Sequence, residues 1–183
     1  MMPTLQNTTQ KQTAGSRWNA GRMIPALLST PDATFTLRRA MSDDLTSIIR
    51  LLAADQLRAS VESDRQEDRG VYQQAFDLID ADPAHALIVV EAGGEVLATM
   101  QLTFIPGLAR FGAMRMQIEA VRVTESLRGR GLGTQMIEWA IDEARERGAK
   151  LVQLTSDSSR LEAHRFYTKI GFADSHVGFK LGL

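Results

Sequence analysis

An α/β domain in three layers, a mixed sheet with helices packed on it, is the fold class this 183-residue sequence predicts. Three observations carry that prediction. Stretches of β-type alternation and stretches of helical period follow one another in the order β-α-α-β-β-β-α-β-α-β. Gly93-Gly94 separates two β-rich runs, a two-residue hairpin signal. Residues 123–140, VTESLRGRGLGTQMIEWA, pass from a strand end through three alternating glycines into an amphipathic helix.

Taken in order, residues 1–33 are polar and aperiodic and read as an N-terminal arm, with Met23 a candidate start; the domain is expected over 34–183. TFTLRRA alternates and reads as a strand. Ser42 is a candidate N-cap, Asp43 and Asp44 suit the positive end of a helix, and Leu45, Ile48, Ile49 and Leu52 are its apolar stripe. Residues 55–69 are polar and read as a helix extension or a loop. Tyr72, Ala75, Phe76 and Ile79 mark a second helix. ALIVVEA and EVLATMQLTFI flank the diglycine, and AMRMQIEAVRV is a further strand. Leu132, Met136, Ile137, Ala140, Ile141 and Ala144 form the face of a long helix that Gly148 stops. LVQLTS is a strand. Ser159 and Glu162 match a capping box before a short helix carrying Leu161, Ala163, Phe166 and Ile170, and Gly171 ends it. FADSHVGFKLGL is expected to close the chain as one or two strands.

Composition narrows the function. The chain is 44% hydrophobic and 23% charged, with a formal net charge of −1, so it lacks the global basic field of a nucleic-acid binder. With no cysteine there is no disulfide, thiolate metal site or cysteine nucleophile. The three histidines, His85, His164 and His176, have no metal-ligand spacing and read as structural or surface residues, and no metal is expected. Apolar runs are short, as in residues 86–90, and the first residues lack a signal peptide's apolar core. A cytoplasmic protein without membrane or nucleic-acid partners is the expectation.

The glycine loop carries the chemistry. Gly129, Gly131 and Gly133 have no Cβ, so a ligand can approach the backbone closely. The first N–H groups of the following helix lack intrahelical partners and, with the helix dipole, attract an anion. Arg128 and Arg130 add charge. A diphosphate fits this description. The phosphate loop of nucleotide hydrolases needs Gly-Lys-Ser/Thr after a four-residue gap, which is absent. The dinucleotide fingerprint needs G-x-G-x-x-G where this chain has G-x-G-x-G, and about 50 residues remain after Gly133, too few for further βαβ units and a substrate region.

Arg128-x-x-Gly131-x-Gly133 resembles the Q/R-x-x-G-x-G/A signature of the GNAT superfamily of N-acetyltransferases, and HRFYTKIGF, residues 164–172, resembles that family's second signature. The similarity spans residues 34–183. It implies a mostly antiparallel central sheet flanked by helices, and transfer of an acetyl group from acetyl-CoA to an amine of a small molecule or peptide. It implies a cofactor-binding set of Val121, Arg122 and Val123 on the strand, Arg128, Gly129, Arg130, Gly131, Leu132, Gly133 and Thr134 at the loop and helix start, and Phe166. Many members carry Asn where this chain has Arg160, which puts one side-chain contact to the cofactor in question. The AHRFY and DSH segments also look similar to members that acetylate small amines. A homodimer is common among lookalikes.

The reaction sets the remaining assignments. An amine of pKa near 10.4 is about three units too protonated at pH 7, roughly 4–5 kcal/mol of barrier, so a proton acceptor is needed. Glu119, the only acid in its strand, is the candidate base. The departing thiolate benefits from a proton donor, and the resemblance makes Tyr167 that donor. The backbones of Val121 and Val123 are expected to serve the pantetheine arm, as strand edges offer open N–H and C=O groups. Transfer of a longer acyl group, or an acyl-CoA-binding regulatory module without turnover, are the rival readings.

Overall fold

The computed structural model describes residues 24–55, 65 and 68–182. Most of the expected N-terminal arm and most of segment 55–69 lie outside the described residues. The elements are β1 (Ala26–Ser29), β2 (Thr34–Arg39), α1 (Leu45–Ala53), α2 (Arg69–Ala81), β3 (His85–Ala92), β4 (Glu95–Ile105), a single turn α3 (Ala109–Gly112), β5 (Arg115–Val123), α4 (Leu132–Glu146), β6 (Leu151–Leu154) and α5 (Leu161–Ile170). The strands lie side by side in chain order, antiparallel except for β5 and β6, which run parallel through the α4 crossover. The expected mixed, mostly antiparallel sheet flanked by helices is what forms. The β3–β4 hairpin turns on Gly93 and Gly94, at φ +61° and +82°, the left-handed pair that a two-residue turn demands.

Two apolar clusters sandwich the sheet. On one face Leu37, Ile88, Val90, Met100, Leu102, Met116 and Ile118 pack with Leu132, Met136, Ile137 and Ala140 of α4. On the other, Val89 packs with Ile48 and Ile49 of α1 and Phe76 of α2.

Three expectations need correction. Residues 26–29 do not belong to a loose arm: they form β1 beside β2, with Leu28 buried in the core. Four residues are too few for a period to register. Neither expected N-cap serine caps a helix. Ser42 Oγ donates to Gln73 Oε1 at 3.1 Å, while the Asp44 carboxylate accepts the Met41 N–H at 2.7 Å. Ser159 Oγ donates to Asp157 Oδ1 at 2.6 Å, and α5 begins at Leu161 without a side-chain cap. In both places another polar side chain competes for the hydroxyl. Nor do the closing strands form: residues 172–182 follow α5 without regular structure, and 173–182 are exposed. Alternation predicts a strand only where an edge is there to pair with it.

What positions the site is the division of β5. Arg115, Met116, Gln117 and Ile118 are paired on both sides, with β4 and with Leu151, Val152, Gln153 and Leu154 of β6. Beyond Ile118 the β6 pairing stops. On the β4 side Glu119 lies opposite Gln101 and Arg122 opposite Thr99, so β5 spends one residue more than its partner. The extra residue makes a bulge in which Ala120 takes φ +52°. Ile118, Val121 and Val123 all pack with the α4-side cluster. Strand alternation therefore turns Glu119 and Arg122 to the α1 side.

Candidate active site

After β5 a short turn, Glu125–Leu127, leads into the glycine loop. Gly129 and Gly131 sit at φ +74° and +89°, where a side chain would be strained, and both are exposed. Gly131 precedes α4, which has no side-chain cap, and the Gln135 N–H reaches the Gly131 carbonyl at 3.1 Å. The N–H groups of Leu132, Gly133 and Thr134 thus form the open start of a 15-residue helix. The Leu132 side chain is 1% exposed and anchors that start in the core. A Cβ on Gly133 would lie 3.6 Å from Phe166 Cζ and 3.9 Å from Val123 Cγ2, ordinary contact distances that place the start of α4 beside both β5 and α5.

The charges around the loop divide their work. Arg130 is exposed and shares a shallow cleft with Thr30, Asp32 and Leu127. Arg128, expected to meet an anion directly, gives its Nε to the Val123 carbonyl at 3.1 Å and fastens the loop to the strand end. Glycines forced into left-handed backbone, an uncapped helix start and a neighbouring arginine fit an anionic diphosphate. Along the open half of β5, two carbonyls already have partners: Arg122 Nη1 donates to that of Val121 at 2.9 Å, and Arg128 to that of Val123.

Glu119 is exposed on the α1 side of the bulge. Tyr167 sits half-buried on α5, edge-on to Phe166 at 5.0 Å and to Phe172 at 5.8 Å. Burial pushes its phenol above the ordinary tyrosine range, while the positive charges of Arg160 and Arg122 pull it part of the way back. The phenol therefore lies within the field of Arg122, which shares a strand face with Glu119. Tyr167 packs against the α4-side cluster, whereas Glu119 faces the α1 side; the charge of Arg122 is what links the candidate acid to the strand of the candidate base.

Sequence reasoning missed a third feature there. Asp55, just after α1, is 8% exposed and accepts from two arginines: Arg122 Nη2 at 2.9 Å and Arg160 Nη1 at 3.2 Å. The Arg122 side chain, expected with the cofactor strand, is committed to Asp55 and to the Val121 carbonyl. Asp55 and Arg160 stand 105 positions apart, and no local pattern links them. The one usable signal was Arg160 itself, an arginine where the resemblance leads one to expect asparagine.

The histidines keep local company. His85 Nδ1 pairs with Thr103 Oγ1, His164 Nε2 with the Asp157 carbonyl, and His176 with Ser175. Among the described residues, no cluster of three or more His, Asp or Glu could hold a metal ion, and no helix is long and apolar enough to cross a membrane.

Comparison with known proteins decides the family. The model of the acetyltransferase (GNAT) family matches residues 46–172. The chain belongs to the GNAT family. It is an acyltransferase of the N-acetyltransferase type, from a family that uses acetyl-CoA. This GNAT chain is similar to the aminoalkylphosphonate N-acetyltransferase of Salmonella typhimurium, at 31% identity over 80% of this chain and 90% of that one. It is similar to a crystal structure from Bacillus halodurans described as a transcriptional regulator, at 40% identity and a TM-score of 0.79, covering 81% of this chain and 99% of the other. A Clostridium acetobutylicum protein, described as a predicted acetyltransferase with acetyl-CoA, shares the GNAT fold at 19% identity and a TM-score of 0.65, covering 81% and 96%.

Proposed function

We propose that this GNAT domain moves the acetyl group of acetyl-CoA to the amine of a small molecule, by direct attack assisted by Glu119 and Tyr167. A peptide amine is the wider alternative. The name of the Salmonella typhimurium relative supports a small acceptor. The carrying observation is that an uncapped helix start, behind glycines at φ +74° and +89°, adjoins the half of β5 that β6 leaves unpaired.

In this reading the N–H groups of Leu132, Gly133 and Thr134, with Arg130, hold the diphosphate. The open N–H groups at Val121 and Val123 serve the extended arm and the carbonyl oxygen as it gains charge. Phe166 packs beneath the helix start. When bound, acetyl-CoA supplies an acetyl group activated as a thioester. Glu119 takes a proton from the incoming ammonium, giving a path to the neutral amine that lies roughly 4–5 kcal/mol above the ammonium at pH 7. Tyr167 gives its proton to the sulfur as the C–S bond breaks and the N–C bond forms. Its pKa, raised above about 10, exceeds the roughly 8.5 of a thiol, so the phenol is refilled by the second proton leaving nitrogen. One proton ends on sulfur and one departs from Glu119 to water.

The test is release of CoA thiol from acetyl-CoA on addition of small amines, amino acids or peptides. Amine-dependent release is the expected result. A second reading, a CoA-responsive regulatory module, draws support from the description of the Bacillus halodurans neighbour. Calorimetric binding of acetyl-CoA without release on any amine would select it.

A further inference from the structure

We infer that Arg160 and Arg122, drawn together on Asp55, form a binding site for an oxyanion, and that the acceptor is a small molecule carrying an amine at one end and a phosphonate, phosphate or carboxylate at the other. The inference rests on the acetyl-transfer reading for its substrate and on the cluster alone for its anion.

Three separate elements deliver the cluster. Asp55 comes from the end of α1, Arg122 from β5 just past the bulge, and Arg160 from the residue that precedes α5. The Asp55 and Arg122 side chains are 7% and 11% exposed, so both guanidinium groups are held by a carboxylate that water barely reaches. Tying α1 to the sheet would need one arginine. The second brings a further, more exposed guanidinium to the same carboxylate, where an incoming anion can meet it. Arg160 is built to receive it. Its side chain is 37% exposed and spends one Nη on Asp55, at a slack 3.2 Å. The rest of a rigid donor fork remains at the open side, and a fork of that kind matches the oxygen spacing of phosphonate, phosphate and carboxylate. The N-terminal end of α5 adds its partial positive charge beside Arg160.

The placement supplies the other half of the molecule. Glu119 and Arg122 share the α1 face of β5 and lie opposite Gln101 and Thr99, two β4 residues apart. At about 3.4 Å per residue that separates base and cation by roughly 7 Å along the strand. An acceptor with its amine and its acid group a few bonds apart spans the two, ammonium toward Glu119 and oxyanion toward the arginines. The charges of both arginines also reach Tyr167.

The experiment compares matched acceptors on the full chain by thiol release: 2-aminoethylphosphonate, 2-aminoethyl phosphate and β-alanine against propylamine. Wild type is expected to favour at least one acid-bearing amine over propylamine by 10-fold or more in kcat/KM, and the ranking of the three identifies the oxyanion. Arg160→Ala is expected to reduce that preference about 10-fold, chiefly through KM, and Arg160→Lys to restore part of it. A preference near one in wild type, or one that Arg160→Ala leaves unchanged, overturns the proposal. If no amine is turned over, the acetyl-transfer reading fails separately, and calorimetric titration with methylphosphonate decides the site. A 10-fold weaker affinity in Arg160→Ala keeps it, and equal affinities, or no binding to wild type, sink it.

Discussion

β5 is two strands in one. Its first half, Arg115 to Ile118, is hydrogen-bonded on both edges, and Met116 and Ile118 are buried to within 2%. Its second half, from Glu119 to Val123, has β4 on one edge, carries a bulge, and exposes the acid on which the chemistry is proposed to depend. The first half spends its backbone polarity on the sheet. The second leaves backbone available where the glycine loop begins. The stable half aims the working half, since a side chain is only as well placed as the strand that carries it.

The largest effect expected from this division is on turnover. Glu119→Gln should lower kcat by about 10²–10⁴, the range for a positioned general base. Its melting temperature and acetyl-CoA affinity should hardly move, because the side chain is exposed on the acceptor side. The defect should shrink as pH rises, when more amine arrives neutral. Wild-type turnover at pH 7 would remove Glu119 as the base. One residue earlier the signature inverts. Ile118→Ala removes a side chain 2% exposed and should cost about 2–5 kcal/mol in urea unfolding. If Ile118→Ala unfolds no more easily than Glu119→Gln, the contrast between the halves fails.

Two further changes sharpen it. Tyr167→Phe keeps the ring contacts with Phe166 and Phe172 and should slow turnover about 10-fold or more, less so with a donor whose leaving thiol is more acidic. Because burial raises this phenol above its ordinary pKa, it stays protonated until pH rises past that value, so its contribution should disappear only beyond about pH 10. A pH-rate profile in which the wild-type advantage over Tyr167→Phe already falls near pH 8 would rule the phenol out as donor. The smallest effect belongs to the bulge. Ala120→Gly relieves φ +52°, worth about 1 kcal/mol of strain, against a similar loss of chain entropy, so stability should shift by under about 1 kcal/mol. A loss of several kcal/mol would mean that the Ala120 methyl packs into the fold.

What could be read in advance follows from distance along the chain. The face of α4, the diglycine hairpin and the glycine loop are local patterns, and each lies where its period or turn chemistry puts it. The bulge at Ala120 is invisible in QIEAVRV, because nothing in those seven letters reports how many residues the neighbouring strand uses. β1 was too short to announce itself. Glu119 and Tyr167 were reached through likeness to a family. The Asp55, Arg122 and Arg160 cluster exists only once the sheet has brought three remote segments together, and a charge run such as the one following Asp55 looks the same in sequence whether water or an arginine meets it.

The single extra residue at Ala120 also sets what kind of change this strand can tolerate. A strand keeps its two sides by counting in twos, and the bulge resets that count midway. Removing Ala120 would leave Glu119 and Arg122 opposite Gln101 and Thr99 in a regular ladder, with both still on the α1 side. One residue added beyond the bulge is the change that would turn Arg122 toward the core and exchange inside for outside over everything downstream to the loop. Along these few positions the loss of a residue is the smaller disturbance and the gain of one is the larger.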